Sequence, residues 1–288
     1  MKRLNYLILF VSAILLLPLL SCNKDRAEQL ALFDEISDIA TFHGNLEGNV
    51  VVVNTQGGPG IELEDDGLLD IISESQTQSA LYVNVHQVQT KNPSLFTGTE
   101  ITFEEAKEYD LQSIENLKRA VEFFTNQEDK TVYVLGISFG AFMTQELIAT
   151  HGIDVADGYM ISVGRLDIDE DTWQPFSQGQ YTEYLYDNNG NFTINSLGDG
   201  SDIELRNMAR LAAGLGYNRY TNKLSSIGDL SKITYVYGDR DEQVGPLSDQ
   251  EIQFLTAKGA NVLLSEGGNH DIATSLSLSL LKEAFGIE

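Results

Sequence analysis

TVYVLGISFG, residues 131–140, is an apolar run that stops in Gly136-Ile137-Ser138-Phe139-Gly140. A helical pattern over 139–150 follows without a break and closes at Gly152. One serine therefore stands between a buried strand and a helix, with glycine two residues away on either side. A strand–turn–helix elbow of this kind is tight, so the residues two away from the serine must lack bulk. Gly136 and Gly140 meet that need, and Ala141 lets the helix start lie close to the strand. The helix N-terminus brings the positive end of its dipole to Ser138.

Outward from the elbow the chain alternates strand and helix. Residues 50–54, 81–85, 131–135, 159–163, 233–237 and 261–264 read as strands, mostly as the continuous apolar runs of strands covered on both faces. Between them, Thr102-Phe103-Glu104-Glu105 has the capping-box form. Leu111, Ile114, Leu117, Val121 and Phe124 then recur at three- and four-residue spacing, as on one face of a helix. Residues 246–258 and 271–285 are expected helices, although Leu276, Leu278 and Leu280 alternate with serine, which also suits a strand. The alternation predicts an α/β fold with a mainly parallel central sheet. Residues 164–232 interrupt it. They hold a hairpin signal, Asp187-Asn188-Asn189-Gly190, between strand-like 181–186 and 191–195. A short helix opens at Ser201-Asp202-Ile203-Glu204, so the stretch reads as an insertion between two core strands.

A serine hydroxyl is a weak nucleophile and needs a base held by an orienting carboxylate. The sequence has four histidines. His43 precedes the strand block, His86 ends a strand, and His151 ends the helix that runs away from the elbow. His270 follows the last strand, at the carboxyl edge where an open α/β sheet presents its functional groups. The acid should follow the strand before it. Asp239 and Asp241 both qualify by position. Asp241 is favoured because it lies further into the loop, whereas Asp239 suits a turn beside Gly238. The order is then Ser138, Asp241, His270.

These stretches resemble the α/β-hydrolase family and, within it, the proline iminopeptidase branch. The likeness is carried by Gln56-Gly57-Gly58-Pro59-Gly60, the elbow at 136–140, Gly238-Asp239-Arg240-Asp241 and Gly267-Gly268-Asn269-His270. It covers residue 50 to the C-terminus apart from the insertion. It implies an α/β-hydrolase fold with a mainly parallel central sheet and a cap insertion. It also implies an oxyanion hole formed by the amide of Phe139 and that of Gly58 (or Gly57). The branch usually has His where Gln56 stands, and Asp-Gln-Arg-Gly where this chain has Asn84-Val85-His86-Gln87-Val88-Gln89. Aminopeptidase members set cap carboxylates against the substrate's amine. Glu170, Glu183 and Glu204 are available here, with solvated surface as their plainer role. Trp173, Phe176, Tyr181, Tyr184 and Tyr186 either line a substrate pocket or pack the cap on the core.

The N-terminus has Lys2 and Arg3, an apolar stretch over 4–20, and Leu19-Leu20-Ser21-Cys22. This has the form of a secretory signal and resembles a bacterial lipoprotein signal, which implies cleavage before Cys22 and its lipidation. An uncleaved membrane anchor is the alternative. The expected organisation is a signal over 1–21, a tether and N-terminal segment over 22–48, core over 49–163, cap over 164–232 and core over 233–288. The expected location is outside the cytoplasm, lipid-anchored to a bacterial membrane, the outer membrane.

A net charge of −25 argues against a nucleic-acid partner. A single cysteine excludes an internal disulfide framework. Asp187, Asn189 and Asn191 have the spacing that opens an EF-hand loop, but Phe192 stands where Gly is required and Gly198 where Glu is required. No cofactor or metal is expected. The functional expectation is a serine hydrolase that cleaves an amide or ester of a small-molecule or peptide substrate through an acyl-enzyme, with a proline iminopeptidase-like aminopeptidase foremost. A carboxylesterase or lipase, and a non-catalytic ligand-binding lipoprotein, are the rivals.

Overall fold

A computed structural model describes residues 29–288. Residues 29–38 belong to a separate unit, with one 3-10 turn at Ala31–Phe33, and the sheet and its helices belong to Ile39–Glu288. Nine strands occur among the described residues: β1 (Ala40–Gly44), β2 (Val50–Thr55), β3 (Leu81–Val85), β4 (Thr131–Ile137), β5 (Gly158–Ser162), β6 (Gln180–Tyr186), β7 (Phe192–Asp199), β8 (Ile233–Gly238) and β9 (Asn261–Ser265). Seven of them form a sheet in the order β1-β3-β2-β4-β5-β8-β9. Every pairing in it is parallel except β1 on β3. The strands are continuous apolar runs because helices cover both faces. All six expected strands are present. β1 is the addition: ATFHG alternates buried and half-exposed residues, as a short antiparallel edge strand does. Five residues are too few for that alternation to stand out in sequence.

Seven helices of eight residues or more surround the sheet among the described residues: α1 (Asp65–Glu74), α2 (Phe103–Thr125), α3 (Phe139–His151), α4 (Glu170–Ser177), α5 (Ile203–Gly216), α6 (Asp249–Ala257) and α7 (His270–Ala284). One face of the sheet buries Val52, Tyr82, Leu135, Met160 and Val236 with Leu68 and Ile72 of α1 and Leu281 of α7. On the other face, α2 and α3 pack across β2 and β4. α3 is buried from Phe139 to Ile148, which suits a helix covered on all sides. The leucine–serine alternation of α7 is helical after all. Ala273, Ser277 and Leu281 recur every four residues on its buried face, and Ser277 Oγ meets Ser162 Oγ of β5 at 2.8 Å.

The insertion holds α4, the antiparallel β6–β7 hairpin and α5. The cluster of Asp and Asn at the hairpin tip is turn chemistry: Asp187 Oδ1 accepts from the backbone amides of Asn189 and Asn191 at 2.8 and 2.9 Å. α5 lies against α2. There Asp110 is buried beside Gly214, with one carboxyl oxygen lacking a hydrogen-bond partner. Burial, reinforced by the Glu146 carboxylate, pushes its pKa well above the usual value. The folded chain therefore keeps a proton that the unfolded chain releases above about pH 4. The stability this proton provides is complete below that pH and is lost as pH rises towards the folded pKa. Asp110→Asn is expected to raise Tm at pH 8, with the gain shrinking as melts are repeated down to pH 5. A gain that does not depend on pH would contradict this.

Candidate active site

Ser138 joins β4 to α3 with φ 55° and ψ −117°. A non-glycine residue at positive φ is uncommon and strained, and such strain persists only where the surroundings impose it. Here two close approaches impose it. A Cβ on Gly136 would collide with the Thr144 hydroxyl and the Gly140 carbonyl, and one on Gly140 would collide with the Thr55 carbonyl. The strand end and the helix start can touch only if both positions are glycine. The Ser138 amide donates to Ser162 O at 2.9 Å, tying the elbow to β5. Phe139 opens α3, so its N–H has no carbonyl within the helix to serve.

β4, β5, β8 and β9 lie side by side and parallel, so the residues that follow them emerge at one edge of the sheet. His270, at the start of α7, places Nδ1 2.7 Å from Asp241 Oδ2. Asp241 is 1% exposed and His270 6%. The other oxygen, Asp241 Oδ1, accepts from the amides of Gln243 at 2.9 Å and Val244 at 3.0 Å. These two donors fix the carboxylate plane, and an ionised carboxylate only accepts. Nδ1 therefore carries the hydrogen, which leaves Nε2 as a base. Asp239, the other sequence candidate, has no contact of this kind, and its Oδ1 is buried without a hydrogen bond.

A cavity of about 350 Å³ lies beside Ser138, and Gly58, Pro59 and Phe139 line it. Gly57 lies against the serine, since a Cβ there would be 3.3 Å from Ser138 Cβ. From the insertion come Ile168, Trp173, Phe176, Tyr181, Glu183, Leu197 and Met208. From the loop after β8 come Glu242, Gln243 and Val244. Glu242 Oε2 accepts from the His270 amide at 3.3 Å, so one side chain touches both the cavity and the His270 backbone.

Solved structures share this architecture. The Thermus thermophilus protein TT1662 matches with a TM-score of 0.53 at 13% identity, covering 86% of this chain and 94% of its own. MGS-M2, an α/β-hydrolase enzyme from a deep-sea metagenome library, matches with a TM-score of 0.52 at 12% identity, covering 86% of this chain and 93% of its own. The chain has the α/β-hydrolase fold. A thermostable carboxyl esterase from Bacillus coagulans gives a TM-score of 0.53 at 13% identity, over 86% and 93% of the two chains. No protein-family model matches the sequence, and no curated protein matches it. At these identities the likeness speaks for the α/β-hydrolase fold, and the chemistry must be argued from the site.

Of the residues singled out in the sequence, Ser138, Gly58 and Phe139 line one cavity, and Asp241 and His270 form a buried pair at the same sheet edge. Among the insertion's aromatics, Trp173, Phe176 and Tyr181 line the cavity, whereas the hydroxyl of Tyr184 bonds Asp169 at 3.1 Å and that of Tyr186 bonds Asp241 O at 2.8 Å. Among its carboxylates Glu183 is a lining residue; Glu170 and Glu204 are not. The remaining histidines have partners of their own: His43 with Asp65 at 2.9 Å, His86 with Thr90 at 3.0 Å and His151 with Glu115 at 3.0 Å. Glu242 went unnoticed in sequence, although it directly follows Asp241. Cys22 and the signal over 1–21 lie outside the described residues.

Proposed function

We propose that this chain is a serine hydrolase held outside the cytoplasm by a lipid on Cys22, and that it acts as an aminopeptidase of the proline iminopeptidase type. Ser138 Oγ attacks the carbonyl carbon of an amide or ester, and His270 Nε2 takes its proton. Asp241 holds the imidazolium that results. The amides of Gly58 and Phe139 receive the negative charge on the carbonyl oxygen. His270 returns the proton to the leaving amine or alcohol, and water hydrolyses the acyl-enzyme by the same route.

The observation that carries the amine preference is the cavity's charge. Its lining is apolar except for a few polar groups, its carboxylates are Glu183 and Glu242, and no Lys or Arg is among its lining residues. Glu183 Oε1 takes one hydrogen bond, from Asn195 at 3.0 Å, so the carboxylate retains acceptor capacity for an ammonium group. A free α-amine beside a compact apolar residue matches both features. The apolar walls at Trp173, Phe176, Leu197 and Met208 favour the second reading, a carboxylesterase.

A substrate panel separates the two. Aminoacyl p-nitroanilides with a free amine are expected to outpace their N-acetyl counterparts and short p-nitrophenyl esters in kcat/KM. Removing one charged partner should cost about 10-fold, so Glu183→Gln and Glu242→Gln are each expected to raise KM for the free-amine substrates by that amount and leave the N-acetyl ones unchanged. A clear preference for acyl esters would transfer the assignment to the esterase.

A further inference from the structure

We infer that Gln56 is a positioning residue: its side chain holds the Gly57-Gly58 segment where it presents an oxyanion donor to Ser138, and Gln87 and Gln89 hold Gln56 in turn. This rests on the serine-hydrolase reading above. Gln56 is 6% exposed, unusual for a glutamine. Both ends of its carboxamide are used. Oε1 accepts from the Glu64 amide at 2.8 Å, and Nε2 donates to the Glu62 carbonyl at 2.8 Å. The side chain thus staples shut the loop that runs from Gly57 to Glu64, whose first residues line the cavity.

The backbone of Gln56 is fixed as firmly. Its carbonyl accepts from Gln87 Nε2 at 3.0 Å, and Gln87 Oε1 accepts from Gln89 Nε2. Gln87 and Gln89 are buried. The same carbonyl lies against the start of α3, since a Cβ on Gly140 would come within 2.9 Å of it. One peptide group therefore touches both sources of oxyanion donors, the glycine loop and the helix that begins at Phe139. Gln56 and the stretch 84–89 thus meet in the Gln87–Gln56 hydrogen bond. Donors of this kind must be held to about half an ångström, and a displacement of about 1 Å can cost 10²-fold in rate.

The test uses p-nitrophenyl butyrate, its thionoester analogue and a fluorophosphonate probe on the full mature chain, with thermal melts to verify folding. Gln56→Met keeps shape and removes both hydrogen bonds. It is expected to lower kcat about 100-fold with KM little changed, and to shrink the preference for the oxo over the thiono ester, which depends on donors aimed at oxygen. Gln87→Met should cost about 10-fold, and the double variant little more than Gln56→Met alone, because both act on one group. Neutral His can give one hydrogen bond and take one, whereas protonated His can only give. Gln56→His is therefore expected to approach the kcat of wild type at the same pH above about pH 7.5, and to fall well below that of wild type at the same pH under about pH 6, beyond the loss that protonation of His270 causes in both. Wild type that labels, with Gln56→Met folded and within threefold in kcat, overturns the inference and leaves the hydrolase reading intact. Should Gln56→Met fail to fold, an unchanged kcat in Gln87→Met overturns it equally. Wild type that fails to label overturns both.

Discussion

Ser138→Ala is expected to lower kcat on p-nitrophenyl butyrate by about 10⁶-fold and to abolish fluorophosphonate labelling, without lowering Tm. His270→Ala should match it, and the double variant should be no worse, because members of such a unit fail together. Asp241→Asn is the more telling variant. Asp241 Oδ1 is pinned by the amides of Gln243 and Val244. An asparagine there must keep its oxygen on those donors and turn its NH₂ towards His270. Nδ1 then becomes the acceptor, the hydrogen moves to Nε2, and the base is in the wrong tautomer. The expected loss is about 10⁴-fold with the fold unchanged. Residual activity above 1% in Ser138→Ala would remove the serine as nucleophile, and full activity in Asp241→Asn would remove the orienting role.

The elbow was legible because its constraint is local. A strained serine between a strand and a helix needs glycines at fixed offsets, and Gly136 and Gly140 stand at those offsets against the Thr144 hydroxyl and the Thr55 carbonyl. The parallel sheet was legible for a similar reason, since strands covered on both faces show as apolar runs. What escaped depends on contacts far apart in sequence. α4 carries Pro175 within eight residues, shows no helix signal in the sequence, and packs on α5 and β6. The separation of Trp173, Phe176 and Tyr181 from Tyr184 and Tyr186 is set by how the hairpin folds back, and all five look alike in sequence. Glu242 shares the problem: its neighbour Asp241 turns inward to His270, while Glu242 reaches the cavity. Asp239 and Asp241 differ by two residues; the position further into the loop favours Asp241 in sequence, and it is Asp241 that meets the imidazole.

Glu251→Ala is expected to destabilise the chain by about 3–5 kcal/mol, the range for breaking a buried ion pair, and to lower Tm by about 10 °C for a chain of this size. Glu251 belongs to α6, in the core, and is 2% exposed at its side chain; Arg165, where the chain leaves β5 for the insertion, is 6% exposed. Their nearest atoms are 3.4 Å apart. The same carboxylate accepts from the amides of Leu166 at 2.9 Å, Asp167 at 2.8 Å and Ser248 at 2.7 Å. Truncation therefore leaves several buried donors unpaired at once. Asp169 still meets Arg165 at 2.6 Å, but it is 38% exposed and sits on the insertion itself, so it cannot replace the link to the core. Arg165→Met with Glu251→Met should recover part of the loss, because two apolar side chains leave no buried charge behind. Ile168, three residues beyond Arg165, is in the cavity wall. Loosening this root should consequently raise KM while leaving the rate of fluorophosphonate labelling at Ser138 near wild type. A Glu251→Ala variant that melts within 2 °C of wild type would mean that the insertion is held by its other contacts, chiefly α5 against α2.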